Sequence, residues 1–207
     1  IAMAYSLITF FPIIVSLMMR HNIFNIYVLP LAITPMFIRV FMDSRTAFAA
    51  HLTMVLICAV AVKYQYEFII TELVAGLVAI YSLRELTQRA QVLRVALYVT
   101  LSMCGIFLAM QMIQENTMGN IDTSILKYFA FNGVMLLFAY PLMYLVEKVF
   151  GFTSAVTLVE LSNTSKELLR RLSEVAPGTF QHSITVANLA AEIANKIGAN
   201  SLLVRTG

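Results

Sequence analysis

Six long apolar runs succeed one another from the first residue of this 207-residue chain, at positions 1–19, 23–42, 46–62, 64–83, 90–113 and 124–146. A bilayer hydrocarbon core of about 30 Å asks for about 20 such residues per helix, so each run is predicted to be a transmembrane helix. Composition agrees. The chain is 60% apolar and 12% charged, with a mean hydropathy of +0.83, against about 45–50% and about 25% in an ordinary soluble domain. Eight Gly, five Pro and two Cys exclude a collagen, a disordered chain and a disulfide-framed module. Cys58 and Cys104 lie inside apolar runs and read as small apolar fillers.

The connections between runs are short, at 20–22, 43–45, Lys63, 84–89 and 114–123. Short connections force neighbouring helices antiparallel, which predicts an up-down bundle. Pro30 and Pro35 in the second run and Pro141 in the sixth are expected to kink their helices. Basic residues set orientation. Arg39, Arg45, Arg84, Arg89, Arg94 and Lys148 gather on one side, with Arg20, Lys63 and Lys127 on the other. Six against three places Ile1 and the C-terminal tail in the cytoplasm. The net charge of +3 carries no nucleic-acid signature, and no nucleic-acid polymer is expected as a partner.

Ionisable side chains inside the runs are the candidate intramembrane site. Arg39, Arg94 and Lys127 lie near run ends, where long side chains snorkel to the headgroups. Glu67 pairs readily with Lys63, four residues back. Glu72 lies about 12 Å from the start of its run, near midplane, and His51 about 7.5 Å from the start of its own. Glu72 reads either as a proton or ligand site or as a protonated carboxyl cross-linking helices. His51 reads as a neutral, hydrogen-bonded imidazole or a further member of such a site. The twelve Met residues show no spacing for metal ligation and serve as filler.

After Val146 the pattern changes: ten of the last sixty residues are charged and no further 20-residue apolar run follows. Leu158, Leu161, Ser165, Leu168, Leu172 and Val175 recur at spacings of three and four. They predict a linker or signalling helix within 148–176. Pro177-Gly178 marks a turn, with Thr179 as N-cap of a helix from Phe180 to Ile197. Gly198 follows at the position that favours a left-handed residue, and Asn200 or Ser201 then caps a further helix. His182 falls in the first turn, and one His alone is not a ligand set.

The segments VTLVELSN (156–163), LLRRLSEVAPGTFQHS (168–183) and VANLAAEIANKIGANSLLVRTG (186–207) resemble the junction region of the bacterial seven-transmembrane HD phosphohydrolases. In that family a membrane bundle precedes a cytoplasmic all-helical HD domain, and the best-understood members hydrolyse cyclic di-adenosine monophosphate. The resemblance implies an all-α chain: a polytopic bundle over 1–147, a linker over 148–176, and the first part of a truncated HD domain over 177–207. It makes His182 the first metal-binding His of a site holding two divalent ions, Mn or Fe, whose other ligands lie beyond Gly207. The fragment alone is therefore expected to hold no metal and to be inactive, while its parent is an enzyme. Where the family often reads Asn-His-Pro, this chain has NTSKE at 163–167. The expected partners are the lipid bilayer and a cyclic dinucleotide, with homo-oligomerisation left open. A six-helix transporter or channel with a cytoplasmic tail is the competing reading.

Overall fold

The computed structural model describes residues 2–21, 24–83, 91–115, 124–151, 153 and 155–207. Among these residues every regular element is helical. The chain separates into two compact units, Ile1–Gly151 and Phe152–Gly207.

The first unit begins with α1 (Ala2–His21), which carries Pro12 in its interior. A single 3-10 turn at Ile26–Val28 leads to α2 (Ile33–Phe41). Then follow α3 (Ser44–Ala59), α4 (Gln65–Ser82), α5 (Gln91–Glu115), α6 (Ser124–Leu137) and α7 (Ala139–Phe150). Consecutive helices pack on one another: α2 on α3, α3 on α4, α4 on α5 and α5 on α6, while α1 closes against α3. The centre is apolar, with Val15, Leu31, Met36, Met54, Val55, Phe68, Val99, Phe129 and Leu136 buried. So is much of the outside: Phe10, Leu17, Leu56, Val60, Leu97, Leu101, Phe131 and Phe138 are exposed. An apolar interior wrapped in an apolar exterior suits hydrocarbon and not water.

Among the described residues three helices are long and apolar enough to cross a membrane: Ala4–His21, Leu93–Ile113 and Ser124–Val149. The other three runs give less. The run at 23–42, expected as one kinked helix, is broken. Pro30 drives the residue before it into extended backbone, and Leu29 has φ −79° and ψ 121°. The helix restarts only at Ile33 and spans nine residues, about 13.5 Å. α3 has 16 residues and α4 has 18, the latter interrupted by Glu67 and Glu72. The sixth run also divides, between α6 and α7. Phe138 N–H bonds back three residues to Met135 at 3.1 Å, and Pro141 removes the N–H that would continue the ladder. Arg84, Arg89 and Asp122 lie outside the described residues.

Asp43 starts α3 by accepting a hydrogen bond from the Thr46 N–H at 3.3 Å. Hydrogen bonding from Thr46 holds this exposed carboxyl below the usual carboxylate range. α4 packs closely on α3 where Gly76 faces the His51 ring, and Ala47 and Ala50 of α3 are buried in one cluster with Ile80 of α4. Close backbone approach of this kind is how helices associate where no hydrophobic force separates protein from lipid.

The second unit holds α8 (Ala155–Leu161), α9 (Glu167–Val175), α10 (Pro177–Lys196) and α11 (Ser201–Thr206). The stripe from Leu158 to Val175, expected on one helix, is divided between α8 and α9. Asn163 is the reason: its Oδ1 accepts from Ser165 N–H at 2.9 Å and its carbonyl from Lys166 N–H at 3.1 Å. Such local side-chain bonding competes with the helical ladder. α10 likewise starts earlier than expected. Pro177 occupies its first position, where the fixed φ is suited and the missing N–H costs nothing. Thr179 is thus inside the helix. Gly198, at φ +72°, ends α10 in the left-handed conformation anticipated for it, and Asn200 caps α11 through Leu203 N–H at 3.1 Å.

Candidate functional site

His51 of α3 and Glu72 of α4 are each 1% exposed, and the structure joins them. The bond, however, runs from the imidazole to the main chain of Glu72, 2.9 Å from Nε2 to the carbonyl oxygen. A carbonyl only accepts, so Nε2 carries the proton and Nδ1 is left as an acceptor. The ring fits because position 76, one turn beyond, is glycine: a Cβ there would collide with His51 Cδ2 and Nε2. Among the described residues, His51 Nδ1 and both carboxyl oxygens of Glu72 have no hydrogen-bond partner, and neither does the buried Thr71 hydroxyl. The Glu72 carboxyl lies within electrostatic reach of the Tyr27 hydroxyl and the Cys58 thiol.

A second buried polar contact went unnoticed in the sequence. Asn132 of α6 donates from Nδ2 to the carbonyls of Tyr27 and Leu29, 3.0 Å each, in the non-helical stretch before α2. Irregular backbone survives at membrane depth only where protein satisfies it, and Asn132 does so. The Tyr27 ring is held nearby against Phe129, Phe107 and Phe68, with centroids 5.1, 6.5 and 6.4 Å away. Depth alone could have found Asn132: it sits eight residues into its run, as Glu72 does, but it carries no charge. Replacing Asn132 with Leu is expected to lower stability by about 1–3 kcal/mol, since the buried Tyr27 carbonyl loses its donor, while the Leu29 carbonyl keeps its bond from Leu31 N–H at 2.9 Å. The loss is read from unfolding in mixed micelles, and proteolysis should become faster at 24–32. Unchanged stability would show the Tyr27 carbonyl to be served by something else.

His182, in the second unit, is exposed in the second turn of α10. Among the described residues no three His, Cys, Asp or Glu side chains converge as metal ligands. The donor set present is one imidazole, too few for a metal centre. No catalytic step can be assigned to these residues alone.

Comparison with known proteins places the arrangement. The family described as "7TM receptor with intracellular HD hydrolase" matches residues 1–154. The cyclic-di-AMP phosphodiesterase PgpH of Listeria monocytogenes serotype 1/2a (strain 10403S) is 30% identical over 208 residues, covering 98% of this chain. PgpH of Bacillus subtilis (strain 168) is 30% identical over 207 residues, covering 94%. An uncharacterized protein of Synechocystis sp. (strain ATCC 27184 / PCC 6803 / Kazusa), slr0104, is 48% identical over 62 residues, 30% of the chain and 8% of that protein. The chain spans 29% of the length of either PgpH. No solved structure matches it. With three quarters of its length matched, and an apolar helical bundle beneath the match, the chain belongs to the family of seven-transmembrane receptors with an intracellular HD hydrolase.

Proposed function

We propose that this chain is the membrane sensor and anchor of a longer, metal-dependent cyclic-dinucleotide phosphodiesterase, with cyclic di-AMP as the substrate. The observation that carries the reading is the extent of the PgpH match, which runs past the bundle into the tail and covers 98% of the chain. In this reading the bundle makes six passes of a bacterial inner membrane, the short helices α2, α3 and α4 included, and the tail is cytoplasmic. The segment 177–207 opens the HD domain, with 148–176 as the linker that carries the signal. His182 supplies one ligand of a two-metal site, and the metals would neutralise phosphodiester charge and generate the attacking hydroxide. The break between α8 and α9 supports coupling through a jointed linker more than through a rigid rod.

The test is hydrolysis of cyclic di-AMP by the full-length protein in lipid, with Mn²⁺ added. Turnover is expected. Its absence in a folded, metal-loaded preparation would overturn the substrate assignment. A transporter or channel is the second reading, favoured by the broken helix before α2 and by the unpartnered Glu72. Proton or solute flux into liposomes holding residues 1–151 would favour it.

A further inference from the structure

The bundle buries a carboxyl for which it provides no hydrogen bond. Glu72 is 1% exposed, and among the described residues neither Oε1 nor Oε2 has a hydrogen-bond partner and no ion pair includes it. An ionised carboxylate in such surroundings neutralises rather than persists. Its neighbourhood shows what is missing. His51 Nδ1 is an acceptor, and so are both oxygens of an ionised Glu72. What an ionised Glu72 lacks among the described residues is a compensating positive charge. One proton supplies it, neutralising the carboxylate and turning one carboxyl oxygen into a donor. A divalent ion would leave net charge in a dry site, and among the described residues no three ligand side chains converge to hold one.

We propose that Glu72 is a proton-binding site of the membrane bundle, and that its occupancy sets how firmly α3 seats on α4. The second half follows from the position of the carboxyl. The residue that takes the proton is also the residue whose carbonyl receives the His51 ring, and Gly76, one turn on, admits that ring. Release of the proton leaves a carboxylate in the same place, which either draws water in or turns the α4 face away from α3. Either change opens the interface that buries Cys58, two turns from His51 on the same helix.

The other titratable groups around Glu72 are few. Tyr27 comes from the 3-10 turn, and His51 and Cys58 from α3. α2 contributes Arg39, which has an interaction of its own, and so has Glu67 on α4. α5 packs on α4 with a buried face of Val95, Ala96, Val99, Met103 and Phe107, and its Cys104 is half-buried. The proposal does not depend on the phosphodiesterase reading, and its test uses no nucleotide.

The test uses the chain reconstituted in lipid vesicles, with pH as the only variable. Infrared spectra should contain a protonated-carboxyl band that Glu72→Gln removes and that fades between about pH 5 and about pH 10. Over the same range, in a Cys104→Ala background, labelling of Cys58 by a membrane-permeant maleimide should rise several-fold more than in the Glu72→Gln variant. Three results would overturn the proposal: no band lost in Glu72→Gln, a band that persists unchanged at high pH, or Cys58 labelling that climbs equally in both proteins. If Glu72→Gln does not reconstitute, Glu72→Asp takes its place. A shifted band midpoint in that variant then supports the site, and an unmoved one overturns it.

Discussion

Full-length protein carrying His182→Ala is expected to lose Mn²⁺-dependent hydrolysis of cyclic di-AMP by about 100-fold or more, while its helical content stays unchanged. Loss of even an outer partner of a metal ligand typically costs about 10–100-fold in metal affinity or activity, and His182 is proposed as a ligand itself. Its surroundings make the result readable. The side chain is exposed, in the second turn of a 20-residue helix that Pro177 starts, so helix α10 itself does not depend on burying the imidazole among the described residues. Alanine also favours a helix slightly more than histidine. Turnover, bound metal and circular dichroism measured on one preparation separate loss of a ligand from loss of fold. Retained turnover with unchanged metal content would remove His182 from the ligand set.

Gly76→Ala is expected to destabilise the bundle, although alanine in a helix interior ordinarily gains about 1 kcal/mol over glycine. The added methyl group meets the His51 ring, a rigid side chain with almost no exposed surface and therefore little room to retreat. Either α3 lifts from α4, or the ring rotates out and surrenders its bond to the Glu72 carbonyl. Overpacking of this kind typically costs about 1–3 kcal/mol, so the net change should be a loss. The double variant His51→Ala, Gly76→Ala is the decisive comparison. With the ring gone the methyl group fits, and the helix preference of alanine should restore part of the stability. Thermal unfolding in detergent would read both. Additive losses in the double variant would mean that the two residues do not meet. Gly133 packs in a similar way against the Thr100 hydroxyl, between α6 and α5, but there the neighbour is smaller.

Much of this architecture was legible in the residues. Apolar runs located α1, α3, α4 and α5 to within a few positions, and the sixth run located α6 and α7 together, because long apolar runs bounded by polar residues mark where helices start and stop in an apolar bundle. Gly198 ended its helix where expected, since few other residues accept its backbone conformation. The errors share a cause. A run of apolar residues reports environment and not hydrogen bonding, so 23–42 looked continuous although Pro30 removes a donor and reshapes Leu29. The tail stripe looked continuous for a similar reason: periodicity ignores Asn163, whose side chain bonds locally and interrupts the ladder. At the candidate site, Glu72 and His51 stood out because charge in an apolar run is conspicuous. Their actual contact, through a main-chain carbonyl and a missing Cβ, follows from helix register and packing that one sequence does not display. Asn132 is invisible to a charge count because its amide is neutral.

The bond from Asn132 to Tyr27 joins residues 105 positions apart, which bears on how the protein is made. Membrane helices generally enter the bilayer first and assemble afterwards. The 24–41 stretch, with a nine-residue helix and a Tyr27 carbonyl that waits for Asn132, is poorly equipped to enter alone. At about 5–20 residues per second, α6 leaves the ribosome about 5–20 s after the segment it must complete. For that interval the segment has to wait at the membrane surface, inside the insertion machinery or against α1. Biogenesis of this bundle is therefore not a simple procession from first helix to last, since an early piece is finished by a late one.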